Sequence, residues 1–186
     1  MQNIMINIVI RKDSDNKGLI DTIKKCTSDK YNVVINICDY SLQKNINVDE
    51  LKSFANVSYH ELDYEDAGSH ESKIIELSSK MSYLAFIDID LTLELEENFI
   101  NDLEIETLED SNIGVVYSDF YSRTSTNRSV YVHQKSFPVV SNTLPIIAFS
   151  MQNYVKNQGN ENIKGFMLSG LISKHVPKAL CSILND

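Results

Sequence analysis

The stretch Tyr83-Leu84-Ala85-Phe86-Ile87-Asp88-Ile89-Asp90-Leu91-Thr92-Leu93-Glu94 limits what this chain can fold into more than any other. Tyr83 to Ile87 are all apolar or aromatic, and such a run reads as a strand buried on both faces. It ends in two aspartates separated by one apolar residue, Ile89. Residues i and i+2 of a strand point to one side, so Asp88 and Asp90 present their carboxylates together wherever the chain stays extended. Two carboxylates that close repel each other unless a cation or a proton sits between them. A hard divalent ion shared with substrate phosphates is one resolution. The plainer one is that one aspartate caps the next helix and the other is solvated. The long apolar strand favours the first, because ligands bind at the C-terminal ends of α/β strands.

Elements on either side of this strand alternate regularly. Ile4–Ile10 (IMINIVI) predicts a central strand, followed by a polar loop from Arg11 and a helix over about Lys17–Cys26, capped by Asp15 or Asn16. Val33–Cys38 (VVINIC) predicts a second strand, Val48–Phe54 a short helix, and Val57–His60 a third strand. A helix with Ile74, Ile75 and Leu77 facing inward runs to Lys80, and the Asp88–Asp90 strand is fourth. Strand, helix, strand in this rhythm describes an α/β fold with a mostly parallel, Rossmann-like sheet flanked by helices. Beyond it the pattern loosens. Glu94–Leu108 reads as an acidic helix with Phe99, Ile100, Leu103 and Leu108 inward, and Ile113–Tyr117 as a strand ending at Ser118-Asp119. Ser129–His133 reads as the return arm of a hairpin. Leu144–Phe149 reads as an apolar run entered through Pro145, and Met151–Gln158 as a short helix. Asn162–Lys174 reads as a helix interrupted at Lys174-His175-Val176-Pro177, with Leu180–Leu184 closing the domain.

At 186 residues and 42% hydrophobic content, one domain around one core is expected. Its regular half, 1–93, suits a nucleotide, and its irregular half, 94–186, suits a second substrate. A net charge of −9 repels phosphate backbones and argues against a nucleic-acid partner. The sequence carries no apolar stretch long enough to span a bilayer, and Met1–Arg11 does not read as a signal peptide. Cys26, Cys38 and Cys181 share no metal-ligand spacing and read as buried thiols in a reducing compartment, the cytoplasm.

Asp39, Asp88-Asp90 and Asp119 each end an apolar strand, and three such ends at one edge of a parallel sheet would converge on one crevice. In order and spacing these features resemble the inverting family-2 glycosyltransferases of the GT-A fold. The resembling segments are VVINICDYS with Asp39, Gly68-Ser69-His70-Glu71-Ser72-Lys73-Ile74, AFIDID followed by ENFI, IGVVYSDF, and KHVPKALCSI. The resemblance runs from about Ile4 to Ile183. It implies a nucleotide-diphosphate sugar as donor, UDP-linked because Asp39 would accept from the N3–H of uracil. Arg11, Gly68, Lys73, Asp88 and Ile89 would line the donor site, with Arg11 and Lys73 offsetting diphosphate charge. Asp88 and Asp90, with His175, would hold Mn²⁺ or Mg²⁺, and Glu161 or Asp119 would be the catalytic base. His133 falls in the loop where the family binds its acceptor.

The chain departs from the family at identifiable places. Arg11-Lys12-Asp13 replaces a proline, an aromatic and an asparagine, Lys73-Ile74 replaces Arg-Asn, and Glu161-Asn162 replaces Glu-Asp. Two alternatives therefore stand beside the transferase. One is a haloacid-dehalogenase-like phosphatase, since Asp88-Ile89-Asp90-Leu91-Thr92 also matches that D-x-D-x-T motif. The other is a catalytically degenerate sugar-nucleotide binder. The acceptor is open among glycan, lipid and protein. The small size implies either that acceptor-binding additions are missing or that a second subunit, as in a homodimer, supplies them.

Overall fold

β1 (Asn3–Ile10) is apolar at almost every position because both of its faces are covered. In the computed structural model, which describes residues 1–11, 16–42, 46–63, 69–124, 129–133, 146–156 and 171–185, it lies inside a nine-stranded sheet. β1 pairs in parallel with β2 (Asn32–Asp39) on one side and β4 (Ala85–Asp90) on the other, and β2 pairs in parallel with β3 (Val57–Glu61). Three helices connect these strands: α1 (Leu19–Lys25), α2 (Val48–Leu51) and α3 (Ser69–Ser78). This half follows the expected alternation, with boundaries shifted by a few residues.

The sheet continues past β4 in the order β8, β6, β9, β5, with β7 paired to β6. β8 (Ile147–Ser150) is antiparallel to both β4 and β6 (Ile113–Thr124), which makes β6 parallel to β4 again. β9 (Ile172–Asn185) runs parallel to β6, while β5 (Glu94–Leu95) and β7 (Ser129–Val132) add antiparallel edges. Strand alternation divides the core by face. Ile4, Ile6, Ile8, Ile35, Ile37, Ile87 and Ile89 meet α1, α2 and the Phe99–Leu108 segment on one side. Met5, Phe86, Tyr117 and Phe149 meet α3 and α5 (Met151–Lys156) on the other.

Four expectations for the second half need correction or narrowing. The segment predicted as one acidic helix is β5, then α4 (Phe99–Asp102), then a 3-10 helix (Ile105–Glu109). Asn98 (φ 60°) and Glu104 (φ 55°) adopt the left-handed conformation, and each redirects the chain. The predicted inward residues Phe99, Ile100, Leu103 and Leu108 are nonetheless all buried. β6 does not stop at Asp119 but continues to Thr124, held extended by β7 and β9. Ile172–Asn185 is one strand, where a helix, a break and a closing segment were expected. Pro177 is accommodated because the register jumps from Val176 opposite Ser118 to Ala179 opposite Asp119, leaving Pro177-Lys178 in a bulge outside the ladder. β8 begins after Pro145, which lies outside the described residues, and it is an interior strand. The helix predicted from Asn162 also falls outside them until Leu171.

The face under α3 and α5 is centred on Phe86, fully buried on β4. Its ring stacks on Phe149 (centroids 5.0 Å apart, 17° between planes) and meets Tyr154 edge-on at 4.8 Å. Replacing Phe86 by Ala leaves a cavity between the sheet and the helices α3 and α5. Denaturant unfolding of Phe86→Ala is expected to show a loss of about 3–5 kcal/mol, whereas a loss below 1 kcal/mol would contradict this packing.

Candidate functional site

All the parallel strands end at one edge of the sheet, and the register fixes how closely their aspartates line up. Asp39 is opposite Ile10 of β1, and Asp90 is opposite Val9. Through β8, Ile87 is level with Ala148 and Val116, which places Asp90 level with Asp119. One strand intervenes between β4 and β6, so these two aspartates are roughly 10 Å apart across the sheet. By alternation Asp88, Asp90 and Asp119 share the face of Phe86 and Tyr117. Asp39 and Ile89 lie on the opposite face. The sheet therefore gathers Asp39, Asp88, Asp90 and Asp119 at one edge, three of them on one face.

Asp88 and Asp90 remain in extended backbone to the end of β4, as their spacing requires. Each already faces a cation of the protein itself. Asp90 accepts from the Arg11 guanidinium through Oδ2, and from the Thr92 backbone N–H (3.0 Å) and hydroxyl (2.8 Å) through Oδ1. Burial works to raise the Asp90 pKa, but the Arg11 and Thr92 donors prevail and hold it below the usual carboxylate range. Asp88 accepts from Asn7 Nδ2 at 2.8 Å through Oδ1, and its Oδ2 lies 3.1 Å from His70 Nε2. Burial alone would lower the His70 pKa. The Asp88 charge and the hydrogen bond to it outweigh burial and raise the imidazole to about 10, so His70 is a cation at neutral pH.

Behind Asp88 runs a row of buried amides. Asn7, fully buried, accepts from Asn36 Nδ2 at 3.2 Å while donating to Asp88, and Asn36 Oδ1 lies 3.3 Å from His60 Nε2. Four adjacent strands, β3, β2, β1 and β4, thus each contribute one polar side chain to a single line across the sheet. Asn7 and Asn36 interrupt two otherwise apolar runs at matched register. That coincidence was legible in IMINIVI and VVINIC but becomes informative only once the two strands are paired.

Asp39 is fully buried and accepts from the Tyr59 hydroxyl at 2.6 Å and from the Ser41 backbone N–H at 2.7 Å. Burial, then the Asp39 carboxylate, push the Tyr59 phenol well above its ordinary value, so it stays a donor.

Asp119 is also fully buried, and both its oxygens are engaged. His175 Nε2 lies 2.7 Å from Oδ1, His133 Nδ1 lies 3.1 Å from Oδ2, and the Tyr131 hydroxyl donates to Oδ2. One ligand atom from each of Asp119, His133 and His175 falls within 4.8 Å of the others. The two imidazoles meet edge-on, with centroids 4.9 Å apart, and the Tyr117 ring lies 5.1 Å from that of His175.

The structure thus places Arg11 against Asp90 and puts His175 with Asp119, across β8 and β6 from β4. Lys73 points along α3 to Glu76 (2.8 Å), and Ile89 is fully buried in the opposite-face core. Gly68 and Glu161 lie outside the described residues. Asn7, His70, His133 and Tyr131 were not singled out as site residues by the sequence, though His133 was placed in the acceptor loop. Only His70 carried a local signal, a histidine beginning the helix before the carboxylate strand.

No protein-family model matches the chain, and no curated protein matches it by sequence. Solved structures do match in shape. Staphylococcus aureus TarS 1–349 superposes with a TM-score of 0.64 at 12% identity, covering 99% of this chain and 60% of that one. Its complex with UDP gives 0.64 at 11%, covering 100% and 61%, and its complex with UDP-GlcNAc gives 0.66 at 10%, covering 100% and 59%. The chain thus spans about three-fifths of that TarS fragment. Likeness at such identity is a statement about architecture, and the architecture is GT-A-like.

The His70–Asp88 pair has a measurable signature. Because the folded imidazole titrates at about 10 and the unfolded one near the ordinary 6.5, the pair's stabilisation is complete below the lower value. It is lost as pH rises through the higher one. Chelator-treated protein should therefore lose thermal stability progressively between those values. His70→Gln should flatten the decline. An unchanged pH profile in the variant would show that His70 does not pair with Asp88 in solution.

Proposed function

We propose that this protein is a metal-dependent, inverting glycosyltransferase of the family-2 type, moving a sugar from a nucleotide-diphosphate donor, a UDP-sugar by preference. The observation that carries this is the alignment of Asp39, Asp88, Asp90 and Asp119 along one edge of a GT-A-like sheet. Support for the donor comes from the neighbours of the same fold that were crystallised with UDP and UDP-GlcNAc. In this proposal residues 1–93 hold the nucleotide and 94–186 the acceptor, within one domain.

Asp39 accepts from the uracil N3–H while Tyr59 and Ser41 hold its carboxylate in place. Asp88 and Asp90 are hard oxygen donors on one face of one strand, a set that fits Mn²⁺ or Mg²⁺. Such an ion neutralises charge on the departing diphosphate. Arg11 and His70 already neutralise these carboxylates, so Asp88 and Asp90 would have to give up these partners to hold such an ion, and Arg11, released, would meet the diphosphate with Lys73 and Gly68. Asp119, buried with both oxygens engaged, orients other groups, and Glu161 removes the acceptor proton. In a homodimer the second copy would contribute contacts to the acceptor. No helix among the described residues is long and apolar enough to cross a membrane. The three cysteines are free and buried, which supports a cytoplasmic setting.

A second reading, a degenerate sugar-nucleotide binder, is favoured by Asn162 beside Glu161 and by the protein cations seated on Asp88 and Asp90. Incubation of the protein with UDP-sugars and Mn²⁺, measuring released UDP, separates the readings. The transferase releases UDP in a metal-dependent way that Asp90→Asn abolishes. The degenerate protein binds UDP without turnover, and a phosphatase frees phosphate from monoesters instead.

Base selection gives an independent check. Cytosine presents an acceptor where uracil presents N3–H, and two facing acceptors cost on the order of 1–3 kcal/mol. UDP should displace a labelled UDP-sugar more effectively than CDP does, and Asp39→Ala should shrink that difference. Equal competition by the two nucleotides in the unmodified protein would remove Asp39 from the donor site.

A further inference from the structure

We infer that Asp119, His133 and His175 form a second metal site, distinct in chemistry from the Asp88–Asp90 edge and suited to Zn²⁺. This inference does not depend on the glycosyltransferase reading. Three strands or their ends bring the donors together: Asp119 from β6, His133 directly after β7, and His175 from β9. Their ligand atoms already lie within 4.8 Å of one another, with carboxylate–imidazole separations of 2.7 and 3.1 Å. A tetrahedral zinc with bonds of about 2.0–2.1 Å keeps its ligands about 3.3–3.4 Å apart, so small side-chain adjustments admit the ion.

The donor set decides the kind of ion. Two imidazole nitrogens and one carboxylate suit zinc, whereas the all-oxygen pair on β4 suits Mg²⁺ or Mn²⁺. The surroundings are also those of a prepared ligand set. The Tyr131 hydroxyl donates to Asp119 and holds the carboxylate in orientation. The Tyr117 ring, 5.1 Å from that of His175, restricts the plane of one imidazole. Asp119 is fully buried and the His175 side chain is 23% exposed, whereas the His133 side chain is 47% exposed, so the site opens to solvent on that side. Three protein ligands leave a fourth position for water or an incoming ligand, as open zinc sites do. Bound there, the ion would fasten the β6–β7 ribbon to β9.

The test uses the whole chain, stripped with a chelator and titrated with Zn²⁺ by calorimetry and with Co²⁺ by visible absorption. The unmodified protein should take up one Zn²⁺ and develop the intense cobalt bands of a four-coordinate site. The double variant Asp88→Asn, Asp90→Asn should retain both. His133→Ala and His175→Ala should each abolish the cobalt bands, and Tyr131→Phe should weaken zinc affinity by roughly 10- to 100-fold. Circular dichroism checks that each variant folds. Should His175→Ala fail to fold, His133→Ala decides, because that side chain is half-exposed beyond the end of its strand. No zinc uptake by the unmodified protein, uptake that survives His133→Ala, or uptake lost in the Asp88/Asp90 variant would each overturn the inference.

Discussion

The placement of Asp88 in the middle of the sheet edge rests on one row of hydrogen bonds, from Asn36 through Asn7 and Asp88 to His70. A carboxylate among apolar strands is costly unless donors and an opposite charge meet it. The row supplies both: the Asn7 amide on one oxygen, a protonated imidazole on the other. Removing either leaves Asp88 partly buried with an unmet demand. The apolar sheet can carry such a line because each strand contributes a polar group at the same level, so every member finds its partner sideways.

Charge is balanced locally in a chain whose overall charge is −9. Asp88 has His70 and Asp90 has Arg11. On the far side of β8, Asp119 is met by two imidazoles and a phenol. The Asp88–Asp90 part of the edge is therefore already paired with cations of the protein. A diphosphate approaching that edge meets donors, and a metal ion meets competitors.

Much of the first half was legible because its signals are short-range. Apolar runs of four to eight residues between turn-forming clusters read as strands, and the parallel direction of β1, β2, β3 and β4 follows from the alternation with helices, though their order does not. The aspartates at strand ends were visible for the same reason. The second half resisted because its determinants are either conformational or remote. Apolar spacing at Phe99, Ile100 and Leu103 is helical, yet left-handed backbone at Asn98 and Glu104 divides the segment; asparagine adopts that conformation readily, but nothing in Glu104 announces it. Ile172–Asn185 contains a proline and is extended only because β6 lies beside it. His175 meets Asp119 across 56 positions of sequence, a distance over which no periodicity speaks.

The placement of β9 also bears on how the protein is made. β6 (Ile113–Thr124) is interior to the sheet, yet one of its neighbours, β9 (Ile172–Asn185), leaves the ribosome long afterwards. The first four strands can assemble as their crossovers emerge, each closing a modest loop. β6 must then wait with one edge bare and Asp119 without His175. During that interval the nascent chain exposes an unpaired interior strand, the kind of surface that other chains and chaperones engage. Arrival of β9 covers the strand and completes the Asp119 cluster in one event, so the maturity of the second half of the sheet and of its buried carboxylate are reached together.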